Sequence, residues 1–168
     1  MVNLTSELKN NLMSKLTEAP ACELCDPQTG EVIFASQRWR VLLVDDANYP
    51  GFCRVVWNDH IKEMTDLPAA ERNEVMEAVW HVERAIREVM QPHKINLASF
   101  GNMVPHLHWH IIPRYTDDLH FPNPVWAQAK VTADAQDESA LLIISARQAL
   151  LPGLKAAIIN RLSQNSEN

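Results

Sequence analysis

The chain has 168 residues, with 15 Lys and Arg against 21 Asp and Glu, a formal charge of −6 when its seven histidines are neutral. A hydrophobic fraction of 46% and a charged fraction of 21% describe a chain able to bury a core, which excludes wholesale disorder. The acidic balance argues against a grip on duplex nucleic acid, which needs clustered Lys and Arg, but leaves room for a locally positive pocket that takes a small phosphate ligand.

Residues 4–18 are predicted as an amphipathic helix, with Leu4, Leu8, Leu12 and Leu16 at four-residue spacing and Pro20 as its end. A turn-rich stretch, 22–27, contains Cys22 and Cys25. Strands are predicted at 31–36, 39–44 and 52–57. Only Gln37-Arg38 separates the first two, which suggests a hairpin, and the turn Tyr49-Pro50-Gly51 leads into the third. The clearest helix spans 68–91, with Asp66 as its N-cap and Pro68 near its first turn. Val75, Val79, Val82, Ile86 and Val89 form one apolar stripe along it, suited to packing on a sheet or against a second copy of the chain. Two more strands, 94–100 and 107–112, are joined across 101–105. An irregular stretch follows Arg114, and a helical segment runs from 138 to about 162, broken at Pro152-Gly153. Strands grouped in hairpins rather than alternating with helices predict an α+β fold. One domain is expected over 1–168, with a core at about 22–114 and a C-terminal extension at 115–168.

Three cysteines are too few for a disulfide framework, and no basic segment feeds an apolar run at the N-terminus, so the expected location is cytoplasmic. The longest apolar run, 140–144, has five residues, short of the roughly 18–20 that cross a bilayer, and no membrane association is expected. The four glycines, at 30, 51, 101 and 153, assemble neither a GxxxxGK[ST] phosphate loop nor a GxGxxG fingerprint. No organic cofactor is expected.

Chemistry concentrates in His106-Leu107-His108-Trp109-His110-Ile111-Ile112. In an extended strand alternate side chains share a face, so the three imidazoles project to one side and Leu107, Trp109 and Ile111 to the other. His106 and His110 would lie about 13 Å apart at the backbone, too far for three rings to share one metal, although two alternate rings can. A row of imidazoles about 6–7 Å apart suits a polyphosphate-like ligand instead. Neutral imidazole is a nucleophile and protonated imidazole a charge for phosphate oxygens.

This stretch resembles the His-φ-His-φ-His-φ-φ signature of the histidine triad (HIT) family of nucleotide hydrolases and transferases. Gly101-Asn102-Met103-Val104 is similar to the family's Gly-Gln-x-Val, and Ile112-Pro113-Arg114 to its strand exit. Asn96 stands near the family's active-site Asn, residues 55–60 resemble its strand-to-His element, and Asp66-Leu67 its Asp-Leu. Two departures stand out: Phe52 follows Gly51 where many members have His, and Met103 replaces a Ser or Thr.

The resemblance implies that His108 attacks an α-phosphorus and carries the nucleotide, with His106 and His110 completing the triad. His110 would bind non-bridging oxygens, and Gly101, Asn102 and Asn96 would complete the anion cradle. Asp45 or Asp46 is a candidate for the ribose hydroxyls and Arg114 for the polyphosphate; a solvated turn and a plain surface arginine are the respective alternatives. Trp39, Trp57 and Trp126 read as core or interface residues, any of which is able to stack on a base. The implied partners are a small-molecule nucleotide and a second copy in a homodimer. A non-enzymatic nucleotide-binding protein on the same scaffold is the alternative function. Cys22 and Cys25 have the spacing by which two thiolates reach one tetrahedral metal, although a redox pair or two unconnected thiols has the same spacing. Some relatives hold zinc with a CxxC, a His after the third strand and the first triad histidine. Here those positions are Cys22, Cys25, His60 and His106, a Cys₂His₂ set for a structural zinc.

Overall fold

A computed structural model describes residues 22–26, 30–130 and 138–165. The helix predicted at 4–18 lies outside them. Five strands, β1 (Glu31–Ala35), β2 (Trp39–Leu43), β3 (Cys53–Trp57), β4 (Lys94–Ala98) and β5 (His108–Arg114), form one sheet in the order β1-β2-β3-β5-β4. Every neighbouring pair is antiparallel. The α-helices among the described residues are α1 (Ala69–Met90), α2 (Glu138–Gln148) and α3 (Leu151–Asn165). The α+β expectation holds, with each strand matching its predicted position to within a few residues.

Period-two alternation divides the sheet into two faces. Trp39, Val41 and Leu43 of β2, Cys53, Val55 and Trp57 of β3, Ile95 of β4 and Ile111 of β5 enter the main core. The stripe of α1 packs there through Val75, Val79, Val82 and Ile86, joined by Leu154, Ile158 and Leu162 of α3. The opposite face carries Arg40, Leu42, Arg54, Val56, His108, His110, Ile112 and Arg114. The helix-covered face therefore fixes which way the histidines point.

The β1–β2 hairpin turns through 36–38, where Ser36 Oγ accepts from the backbone N–H of Arg38 (3.2 Å) and Trp39 (3.0 Å). Gly51 has φ +87° in the turn before β3, and a Cβ there would stand 3.1 Å from Met90 and 3.3 Å from Leu154. Both the backbone and the packing of α1 and α3 require glycine.

Local details differ from the sequence expectation. Asp66 does not cap α1; it closes a separate 3-10 turn, Met64–Asp66, where its carboxylate accepts from the Glu63 N–H (3.3 Å), and Pro68 is the N-cap. The helical break falls at 149–150, before Pro152. Proline then occupies the first turn of α3, where its missing N–H leaves no intrahelical bond unmade. Leu141 (59% exposed) and Leu142 (65%) of α2 face outward, and this helix has no buried residue among those described. Its C-terminal end is tied down by Arg147, which pairs with Asp117 (2.8 Å) and lies 3.6 Å over the Tyr115 ring. By length and composition the stretch Glu138–Gln164 is apolar enough to cross a membrane, which the short apolar run did not reveal. Its second half instead packs on α1 and β1.

Candidate active site and metal centre

β5 begins at His108, not at His106. The His106 N–H turns back to the Val104 carbonyl (2.8 Å), while Leu107 pairs with Ile61 (2.6 Å) and Trp57 (3.1 Å). This departure from the ladder separates the first imidazole from the other two. Nε2 of His106 lies 2.7 Å from the Trp57 carbonyl oxygen, which can only accept, so the proton is on Nε2 and Nδ1 keeps its lone pair. Nδ1 faces the thiols, 3.4 Å from Cys22 Sγ and 3.6 Å from Cys25 Sγ. His60 Nδ1 is 3.3 Å from Cys25 Sγ.

The ligand atoms of Cys22, Cys25, His60 and His106 all lie within 4.8 Å of one another. A tetrahedral zinc with Zn–S of about 2.3 Å and Zn–N of about 2.0–2.1 Å sets an N···S edge of about 3.5 Å, the spacing seen here. Burial lowers the His106 pKa, which favours the neutral ring that a metal requires. The Trp57 carbonyl supplies the outer-shell hydrogen bond that orients a ligating imidazole. The four residues fit a closed Cys₂His₂ site.

His108 and His110 form the second cluster. His108 Nδ1 donates to the His106 carbonyl (2.6 Å), which leaves its Nε2 unprotonated and aimed at His110 Nε2, 3.1 Å away. Ser99 Oγ donates to the His108 carbonyl (2.8 Å) and anchors this strand to the β4–β5 loop. Burial lowers the His108 pKa. His110 is pushed down to about 3 by burial, reinforced by His108 and Arg54. Both rings are therefore neutral near pH 7: one presents a lone pair, the other an N–H. Nδ1 of His110 is buried and has no hydrogen-bond partner among the described residues.

Arg114 is not at the surface but buried in a network of internal partners. Its side chain is 2% exposed and makes four hydrogen bonds: Nε and Nη2 reach Asp118 (2.7 and 3.0 Å), Nη2 the Asn123 carbonyl (2.8 Å), and Nη1 the Asn96 Oδ1 (2.5 Å). It clamps the start of the extension to β5, and Asn96 is part of the clamp. Gly101 and Asn102 are exposed in the loop between β4 and β5, and Asp45 is exposed beyond the end of β2. The Asp46 carboxylate accepts from the Asn48 N–H (2.9 Å), as a turn residue does.

Aromatic residues border His110, and of these the sequence pattern did not single out Phe100. Phe52 (5.5 Å between ring centroids) and Phe100 (6.2 Å) flank it. Trp126, from the extension, lies 5.2 Å from His110 and edge-on to Phe100 at 4.6 Å. Trp39 and Trp57 are core residues; Trp126 is half exposed beside the imidazole. Arg54 stands opposite His110 in the β3–β5 pairing. A lone arginine at an alternating position of an otherwise apolar central strand was the available signal.

The sequence profile described as HIT domain matches residues 27–117. A crystal structure of a histidine triad protein from Bradyrhizobium japonicum is 30% identical, with 89% of this chain and 97% of that one covered and a TM-score of 0.55. Another, from Marinobacter aquaeolei, is 31% identical, with 74% and 90% covered and a TM-score of 0.55. A Mycobacterium tuberculosis protein named AP-4-A phosphorylase is 32% identical over 78 residues, 43% of this chain; the match spans 40% of that relative's length. The match over more than half of the chain, together with the sheet and the triad strand, places this protein in the HIT family.

Proposed function

We propose that the protein is a nucleotide hydrolase or nucleotidyl transferase that cleaves a nucleoside phosphoanhydride, phosphoramidate or related bond. The observation that carries this reading is the 2.6 Å approach of His108 Nδ1 to the His106 carbonyl oxygen, which assigns the tautomer. A carbonyl holds Nδ1–H, so the Nε2 lone pair points into the cluster as a nucleophile, with no prior deprotonation needed. In the first displacement a bond forms between His108 Nε2 and the α-phosphorus, and the leaving group departs with the electrons of its own bond. In the second, water or another acceptor attacks phosphorus and the N–P electrons return to Nε2. Each step is easier than one attack by weakly nucleophilic water.

His110 Nε2–H, 3.1 Å from the nucleophile, donates to a non-bridging oxygen. Gly101 and Asn102 supply further donors from their loop. With its Oδ1 held by Arg114, Asn96 has its amide NH₂ left for a phosphate. Asp45 is retained as a ribose contact. A zinc at Cys22, Cys25, His60 and His106 has no open position for water and is structural: it pins the N-terminal segment to the triad strand and fixes the His106 ring. The protein acts as a homodimer, a state to which the outer edge of β4, unpaired among the described residues, lends support.

The name of the mycobacterial relative makes dinucleoside polyphosphates the first substrates to test, with inorganic phosphate as an acceptor beside water. The test is incubation with dinucleoside polyphosphates and adenosine phosphoramidates while nucleotide products are followed. Release of nucleoside monophosphate in water supports the proposal. Nucleotide binding with no turnover of any of them contradicts it and makes the protein a binding module.

A further inference from the structure

The face that carries His108 and His110 also carries three arginines, and two of them are committed to the fold. Arg40 binds Asn58 Oδ1 (3.1 Å) and the carbonyls of Leu24 (2.7 Å) and Asp26 (3.3 Å). Arg114 is held in its clamp by Asp118, Asn123 and Asn96. Arg54, by contrast, has no hydrogen-bond or ion-pair partner among the described residues, and its Nε is buried. A half-buried guanidinium without a partner is costly unless an anion compensates it. Glu23 is the carboxylate whose charge acts on it.

The pairing of β3 with β5 sets Arg54 opposite His110 and Val56 opposite His108. Opposed residues of an antiparallel pair project to the same face, with Cβ atoms about 4.5–5.5 Å apart. The guanidinium thus leaves the sheet beside the two imidazoles. Phe52 borders it, with Cζ 5.9 Å from the ring centroid, and the same ring flanks His110 at 5.5 Å. The aromatic wall limits water on that side, where a charge acts more strongly on its neighbour.

We propose that Arg54 binds the phosphoryl group that His108 attacks, placing a permanent positive charge on its non-bridging oxygens. The proposal rests on the reading of His108 as the nucleophile. The division of labour follows from the chemistry present. His110 is neutral and offers a hydrogen bond, whereas a guanidinium stays charged at every working pH and matches two phosphate oxygens at once. Arg54 makes and breaks no covalent bond and keeps its protons throughout. The ligand class is a nucleoside phosphate whose reacting group is anionic.

The test compares wild type, Arg54→Gln and Arg54→Lys. Calorimetry measures affinity for adenosine monophosphate, single-turnover kinetics measure cleavage of a dinucleoside polyphosphate, and denaturation checks the fold. Arg54→Gln is expected to bind adenosine monophosphate about 10-fold or more weakly and to lose about 10²–10³-fold in the chemical step, with its unfolding midpoint unchanged. Arg54→Lys, which keeps the charge without the fork, should recover part of both losses. Wild-type affinity and rate in Arg54→Gln would overturn the proposal while leaving the nucleophile reading intact. A loss that tracks a lowered unfolding midpoint and is not recovered by lysine would make Arg54 structural, and also overturn it. If wild type neither binds adenosine monophosphate nor cleaves any nucleotide, the nucleotide reading fails first and takes this inference with it.

Discussion

Replacing Arg114 with alanine separates a structural arginine from a phosphate-binding one. The Arg114 and Asp118 side chains are 2% and 1% exposed. Besides the arginine, the Asp118 carboxylate accepts the backbone N–H groups of Tyr115 (3.1 Å), His120 (2.9 Å) and Phe121 (2.6 Å). Arg114→Ala strands this carboxylate in the interior, which costs about 3–5 kcal/mol, a large share of the roughly 5–15 kcal/mol that stabilises a typical domain. Urea denaturation at pH 7 should register that loss. Acid adds a second signature. Burial alone would raise the Asp118 pKa, but the Arg114 hydrogen bonds and the three backbone N–H groups overcome it, and the value falls from 3.8 to about 2. A carboxylate lowered in the folded state stabilises above its unfolded pKa, and this contribution of about 2 kcal/mol is lost as pH falls from about 4 to about 2. In Arg114→Ala the acid-sensitive window should shrink, because the carboxylate has lost its counter-charge. Wild-type stability together with a tenfold loss of nucleotide affinity would refute this reasoning and return Arg114 to the ligand.

Three further outcomes are expected. His108→Asn should abolish turnover by several orders of magnitude while nucleotide binding persists, and His110→Ala should slow the chemical step about 10²-fold, both measured by single-turnover kinetics. Elemental analysis of protein purified without chelator should find one zinc per chain, lost in Cys22→Ser with a fall in unfolding temperature; near-zero metal and no stabilisation on adding zinc would remove the site. Light scattering should report twice the 19.1 kDa of one chain at micromolar concentrations, and a monomer mass would contradict the dimer.

The sheet was legible because short runs rich in β-branched and apolar residues around Val41, Val55 and Ile111 are bounded by turn signals, and the stripe of α1 repeats at helical spacing. The metal cluster was legible only through the family resemblance: 35 residues separate Cys25 from His60 and 81 separate it from His106, distances that no local pattern spans. Strand alternation placed His106 in line with the other two histidines. The Val104 and Ile61 backbone bonds that turn it toward the thiols are tertiary and carry no local signature. The burial of Arg114 was hidden for a related reason. Its partners Asp118 and Asn123 lie in the irregular stretch, where neither hydrophobic period nor capping pattern shows how the chain folds back. Trp126 reaches His110 along the same return path.

The central claim is that His108 carries the nucleotide between two displacements. Rapid acid-free quenching of the wild-type protein with a radiolabelled dinucleoside polyphosphate, followed by proteolysis and mass spectrometry, tests it most directly. The account predicts a nucleotidyl adduct on the peptide containing His108 that forms and decays at rates matching turnover, and that is missing from His108→Asn. Turnover with no adduct, or with an adduct on another residue, would contradict it.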